Sequence, residues 1–117
     1  MGFENSASKP LTARAPWRGG WDTATLSGAY TLTKTSGHWQ VLDPDGSHRD
    51  VELPSVTKQD NGDWFCIGNS AGGAENLVVK DAAGTTIATV NQSEAGVFYV
   101  DSAGAWQVWG ILTYAAS

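Results

Sequence analysis

From Ala29 onward, short apolar or alternating runs are separated by clusters of turn-forming residues. The runs are Ala29–Thr35, His38–Leu42, Arg49–Leu53, Asp63–Gly68, Asn76–Lys80, Thr85–Asn91, Gly96–Asp101 and Ala105–Tyr114. Between them lie stretches such as Asp43-Pro44-Asp45-Gly46, Pro54–Gly62 and Asn69–Glu75. Eight strands spaced at roughly 10–14 residues are the mark of a sandwich or barrel, and no helical period is sustained. The expectation is an all-β, eight-stranded antiparallel sandwich or jelly-roll-like body over residues 25–117. Two separators hold an Asp followed three residues later by a Gly, Asp81…Gly84 and Asp101…Gly104. These predict tight hairpins that pair 76–80 with 85–91 and 96–101 with 105–112.

Residues 1–24 read differently. They hold Pro10, Pro16 and a Gly19-Gly20 pair, with Phe3, Leu11, Trp17 and Trp21 scattered among polar residues. Two Trp in such a stretch suggest anchoring, because indole joins a large apolar surface to one polar group. This segment is expected to be an extended arm that docks on a neighbouring subunit or a larger assembly.

Charge separates the two parts. Residues 1–20 carry Lys9, Arg14 and Arg18 against Glu4, a net +2, whereas residues 21–117 set four basic residues against eleven acids, a net −7. An acidic body disfavours a nucleic-acid partner. There is no run of about 20 apolar residues of the kind that spans a bilayer as a helix, so no membrane partner is expected.

Strand faces carry the functional clue. Val51 and Leu53 alternate with polar residues, as on a strand with one wet face. The last two strands are apolar on both faces: Val97 and Tyr99 alternate with Phe98 and Val100, and Trp106 and Val108 with Trp109 and Ile111. A strand apolar on both faces is covered on both. A single sandwich has one inner layer, so the second face is expected to meet the arm or another chain. Phe98, Val100, Trp106, Val108 and Trp109 are therefore the candidate subunit interface.

Signs of chemistry are thin. The histidines are His38 and His48, no nucleophile-elbow, P-loop or dinucleotide pattern occurs, and the carboxylates sit mostly in turns. One cysteine, Cys66, excludes an internal disulfide. With two His it also makes a zinc site unexpected. The Asp43–Asp50 stretch lacks the spacing of an EF-hand loop. No catalytic residue, cofactor or metal is assigned.

The segments Val51–Pro54, Phe65–Ser70, Asn76–Ile87 and Val97–Trp106 resemble recurring strand and hairpin motifs in small β domains of tailed-bacteriophage virion proteins. The resemblance covers about residues 28–110 and leaves the arm outside it. It implies a non-enzymatic head-decoration protein, made in the bacterial cytoplasm and carried on the capsid surface. Such a protein binds the major capsid protein, commonly as a homotrimer, and stabilises the shell. A chain that starts at its own Met1 and shows no repetitive shaft fits this setting better than a tail fibre. Leu11, Arg14, Trp17, Arg18 and Trp21 become the candidate capsid-docking residues. The alternative is a tail-fibre, receptor-binding or carbohydrate-binding β module, in which exposed Trp faces stack on sugars.

Overall fold

A computed structural model describes Arg18 and residues 21–114. Among the described residues there are nine strands: β1 (Trp21–Thr25), β2 (Tyr30–Thr31), β3 (Trp39–Asp43), β4 (Arg49–Glu52), β5 (Trp64–Asn69), β6 (Leu77–Lys80), β7 (Thr86–Val90), β8 (Glu94–Val100) and β9 (Trp106–Thr113). They form a five-stranded sheet, ordered β1-β3-β5-β8-β9, and a four-stranded sheet, ordered β2-β4-β6-β7. The all-β expectation holds, and each of the eight runs contains a strand.

The pairing differs from a wholly antiparallel sandwich. From β1 to β6 the chain alternates between the sheets, so β1, β3 and β5 stack in parallel in one, and β2, β4 and β6 in the other. Only after β6 does the chain reverse, giving the antiparallel pairs β6–β7, β5–β8 and β8–β9. Both sheets are mixed. Backbone bonds continue the stacking at the corners: Leu26 N donates to Asp43 O at 2.8 Å, Ser70 N to Leu42 O at 2.9 Å, and Leu53 N to Lys80 O at 2.8 Å.

β1 is the second difference. Trp21–Thr25 lies within the stretch read as an arm, yet it pairs in register with Trp39–Asp43. The body therefore begins by Trp21. Conversely, only Tyr30–Thr31 of the first expected run is strand.

The two predicted hairpins form, with near-identical turns. Asp81 Oδ1 accepts from Ala83 N and Thr85 N, and Asp101 Oδ1 from Ala103 N and Ala105 N, all at 2.9–3.0 Å. Gly84 and Gly104 close the turns at φ +89° and +85°, where a side chain is strained.

The core lies between the sheets. Leu42, Phe65, Ile67, Phe98 and Val100 come from the five-stranded sheet, and Val51, Leu77, Val79 and Val90 from the four-stranded one. Gly96 faces this layer because a Cβ there would stand 2.8 Å from the Phe98 ring. Trp106 fills one end, 5% exposed, with its ring 5.7 Å from that of Phe65 and its Nε1 donating to Pro54 O at 2.9 Å. Buried Asn69 ties a corner: its Nδ2 donates to Glu75 O and Val90 O, and its Oδ1 accepts from Ala71 N. Such satisfied polar groups fix a corner that apolar packing alone would leave free to slide.

Candidate functional site

Alternation turns every second side chain of the five-stranded sheet away from the core. Register then assembles this outer face row by row. Trp21, Trp39, Cys66 and Val97 are cross-strand neighbours, as are Thr23, Val41, Gly68 and Ala95, and Trp64 stands opposite Tyr99. At the far edge, Val97 pairs with Gly110 and Phe98 with Val108, which leaves Trp109 as a bulged extra residue. The bulge sets the Trp109 ring beside Tyr99, edge-on at 5.7 Å.

The result is a broad apolar surface. Trp109 is 75% exposed, Leu112 67% and Trp21 65%. Val108 and Ile111, on the other side of β9, are also partly open, so this edge strand presents apolar groups on both faces. Its segment Trp106–Thr113 carries no charged side chain. A long, uncharged, apolar edge of this kind invites association.

The β1-β3-β5 half of the face is hollow. A groove of about 400 Å³ runs between the Trp21 and Trp39 rings on one side and Tyr114 on the other, over Gly68, Ala95 and Cys66. Past Val41 a second, more polar hollow of about 320 Å³ reaches Thr23, Thr25, Asp43 and Ser70. Trp21 and Trp39 stack at 6.1 Å and 14°, and Trp64 meets Trp39 edge-on at 5.6 Å. The Tyr114 hydroxyl donates to the Asn69 carbonyl, which pins that wall to the body. Burial pushes the Cys66 thiol up from its ordinary pKa, so at neutral pH it is held protonated and weakly nucleophilic.

A buried polar cluster lies at one end of β5. The Arg18 guanidinium donates from Nη1 to Asp63 Oδ1 at 2.9 Å and from Nε to Ser36 O at 2.6 Å, and stands 5.2 Å from the Phe65 ring centre. His38 Nδ1 lies 2.6 Å from Trp64 O, and the His38 ring stacks on Trp64 at 4.1 Å. His38 and Asp63 are almost fully buried, at 1% and 3% exposure. Packing and pairing account for this cluster except at Arg18 Nη2, which is buried with no hydrogen-bond partner among the described residues.

The expected site residues divide accordingly. Phe98, Val100 and Trp106 belong to the chain's own core, which corrects their assignment to a subunit interface: the strands are apolar on both faces, and these three take the inward one. Val108 and Trp109 are the members left at the surface. Among the docking residues, Trp21 is exposed on the outer face, but Arg18 is turned inward and paired with Asp63, so it is an internal anchor. Leu11, Arg14 and Trp17 lie outside the described residues. The sequence reading missed Tyr114, Leu112 and the Arg18–Asp63 pair. No local spacing links positions 45 residues apart, as Arg18 and Asp63 are. The apolar Ile111-Leu112 pair was readable as a continuation of the interface.

Among the described residues, no group of three His, Cys, Asp or Glu side chains is placed to hold a metal ion. At the Asp43–Gly46 turn, Arg49 donates to the carbonyls of Pro44 and Asp45. Compared with protein-family models, with curated proteins and with solved structures, the chain matches none.

Proposed function

We propose that this chain is a non-catalytic assembly module, a decoration protein of a tailed-phage head, carried on the capsid surface as a homotrimer. The observation that carries the reading is the charge-free apolar edge of the five-stranded sheet, with Trp109 and Leu112 exposed beside Tyr99. Trp and Tyr side chains are among the usual energetic centres of a protein interface, and Trp109 beside Tyr99 offers such a pair on a rigid sheet. A net −7 over residues 21–117 would keep copies soluble and apart everywhere else on the surface. A protein that binds only the assembled shell stabilises it by mass action, with no chemical step.

The partner is then the major capsid protein, and the contacts between copies run through Val108, Trp109, Ile111 and Leu112. The test is the disassembly temperature of heads built from the major capsid protein of the same genome. Added chain should raise it, and the Trp109→Glu, Leu112→Glu double variant should not. Equal disassembly temperatures with and without the chain would overturn the reading.

One observation favours a second reading. The stacked, exposed Trp21 and Trp39 rings flank a groove, an arrangement that suits the apolar face of a sugar ring. Binding to glycans but not to heads would move the chain to the receptor-binding or carbohydrate-binding class.

A further inference from the structure

The parallel half of the five-stranded sheet sorts its outer side chains by kind. Strands β1, β3 and β5 are parallel and paired in register, so every second residue falls into a row that crosses all three. The first row holds the Trp21 and Trp39 indoles, stacked at 6.1 Å and 14°, and ends at Cys66. The second is Thr23, Val41 and Gly68, none of them large. The third is Thr25 and Asp43, with Ser70 beside them just past the end of β5. Two residues along a strand advance about 6.6 Å, so the indole row and the Asp43 row stand roughly 13 Å apart across a floor of small side chains. The apolar groove and the more polar hollow are the two ends of this floor, and both touch Val41 and Ser70.

We propose that this surface binds a neutral oligosaccharide, with one sugar ring against the Trp21 and Trp39 indoles and the hydroxyls of the next reaching Asp43, Ser70 and Thr25. This assignment rests on the sugar-binding reading of the groove and adds to it the charge of the ligand and the direction in which it lies. It is independent of the capsid role, which uses the β9 edge.

The chemistry of the rows fits a sugar. A pyranose ring is apolar on its C–H faces and fringed with hydroxyls, so it needs an aromatic surface and polar groups side by side. Trp21 is 65% exposed and Trp39 37%, which leaves indole surface open to a ligand. The polar row has bonding capacity to spare: Asp43 Oδ1 accepts from Asp45 N at 2.9 Å, and Oδ2 is left to accept from a ligand hydroxyl. The floor between the rows is low without structural need. A Cβ at Gly68 would make only ordinary contact, 3.8 Å from the Tyr114 ring, and the backbone there is not left-handed.

Charge and shape narrow the ligand class. Asp43 brings a carboxylate to the polar hollow, and residues 21–117 carry a net −7, so a uronic acid or phosphorylated sugar is repelled. An acyl chain would leave the third row unpaired. An extended peptide that adds to a sheet pairs with an edge strand, whereas this surface is a sheet face.

The test is titration of the full-length chain with chitotetraose, cellotetraose and maltotetraose, and with tetragalacturonate as the acidic control, read by the indole N–H resonances of Trp21 and Trp39. A neutral tetrasaccharide should shift both resonances, and tetragalacturonate should bind at least about tenfold more weakly. Trp21→Ala should weaken neutral binding by about tenfold, read at Trp39. Asp43→Asn keeps an acceptor for Asp45 N and should shrink the preference for neutral over acidic sugar to less than about threefold. The Trp109→Glu, Leu112→Glu variant should bind sugar as the parent does. A chain that stabilises heads but binds none of these sugars would overturn the sugar site and leave the capsid role standing. Sugar binding lost in Trp21→Ala, by a chain with no effect on heads, would support the site and remove that role. Equal affinity in the parent and Trp21→Ala, or tetragalacturonate bound as tightly as the neutral sugars, would overturn the proposal.

Discussion

The two sheets of this molecule share one core and turn opposite surfaces to the outside. The four-stranded sheet wears an ordinary wet face. Lys80 Nζ meets Asp50 Oδ2 at 3.0 Å, Thr31 donates to Glu52, and Thr86 and Thr89 are exposed on β7. The five-stranded sheet presents Trp21, Trp39, Trp64, Val41, Val97, Tyr99, Trp109 and Leu112 in the equivalent place. The same chain writes both surfaces, so the apolar one is not a general shortage of polar residues. Scattered exposed apolar groups need no explanation, but a contiguous aromatic sheet face opposite a normally charged one does. The contrast is the reason to treat the five-stranded sheet as the working surface.

The sharpest way to break this comparison lies within β9, which holds one inward and one outward indole. Trp106→Ala should destabilise the fold by about 3–5 kcal/mol, since it opens a cavity beside Phe65 and leaves Pro54 O without its donor. Trp109→Ala should change stability by less than about 0.5 kcal/mol while weakening self-association. Denaturant titration of each variant gives the first pair of values. Equal losses would mean that Trp109 serves the fold, and that the outer face is not reserved for partners.

The twin hairpin turns sharpen the comparison next, because one closes each sheet. Gly104→Ala should cost more than about 2 kcal/mol, combining positive-φ strain with a Cβ only 2.5 Å from Lys58 N. Gly84→Ala meets open space and should cost about 1 kcal/mol from strain alone. Thermal midpoints of the two variants report the difference.

The same turn of the five-stranded sheet gives a smaller, pH-dependent effect. The Asp101 carboxylate accepts from Ala105 N at 3.0 Å and from Gln107 Nε2 at 2.9 Å, and these bonds hold its pKa below the ordinary 3.8. A lowered folded-state pKa gives stability that is present above the unfolded value and lost as pH falls through the folded one. Melting temperature should therefore decline below about pH 4, and Asp101→Asn should flatten part of that decline. Smallest of all, Lys80→Ala should cost at most about 0.5 kcal/mol, because the Asp50 pair is solvent-exposed.

How much of this was legible in the sequence follows from what each signal measures. Short apolar or alternating runs between turn clusters located all eight expected strands, and the Asp-x-x-Gly separators gave both hairpins, because a positive-φ glycine and an Asp acceptor define that turn locally. Pairing order was not legible. The chain from Asp43 to Arg49 is about as long as a hairpin loop, yet it carries the chain to the opposite sheet. Nothing in its composition states that β3 and β5 are parallel. Strand β1 was hidden because Trp21–Thr25 pairs on one side only and follows a Gly-Gly step. Alternation also showed that the last two strands are apolar on both faces without saying which face is inward. That choice depends on neighbours such as Gly96, whose missing side chain makes room for Phe98.

The proposed role requires the β9 edge to be covered by other copies of the chain, and solution mass by light scattering tests that most directly. The predicted result is a mass near three times 12.3 kDa for the full-length chain, falling to 12.3 kDa in the Trp109→Glu, Leu112→Glu variant. A full-length mass of 12.3 kDa at every concentration, unchanged in the variant, would contradict it.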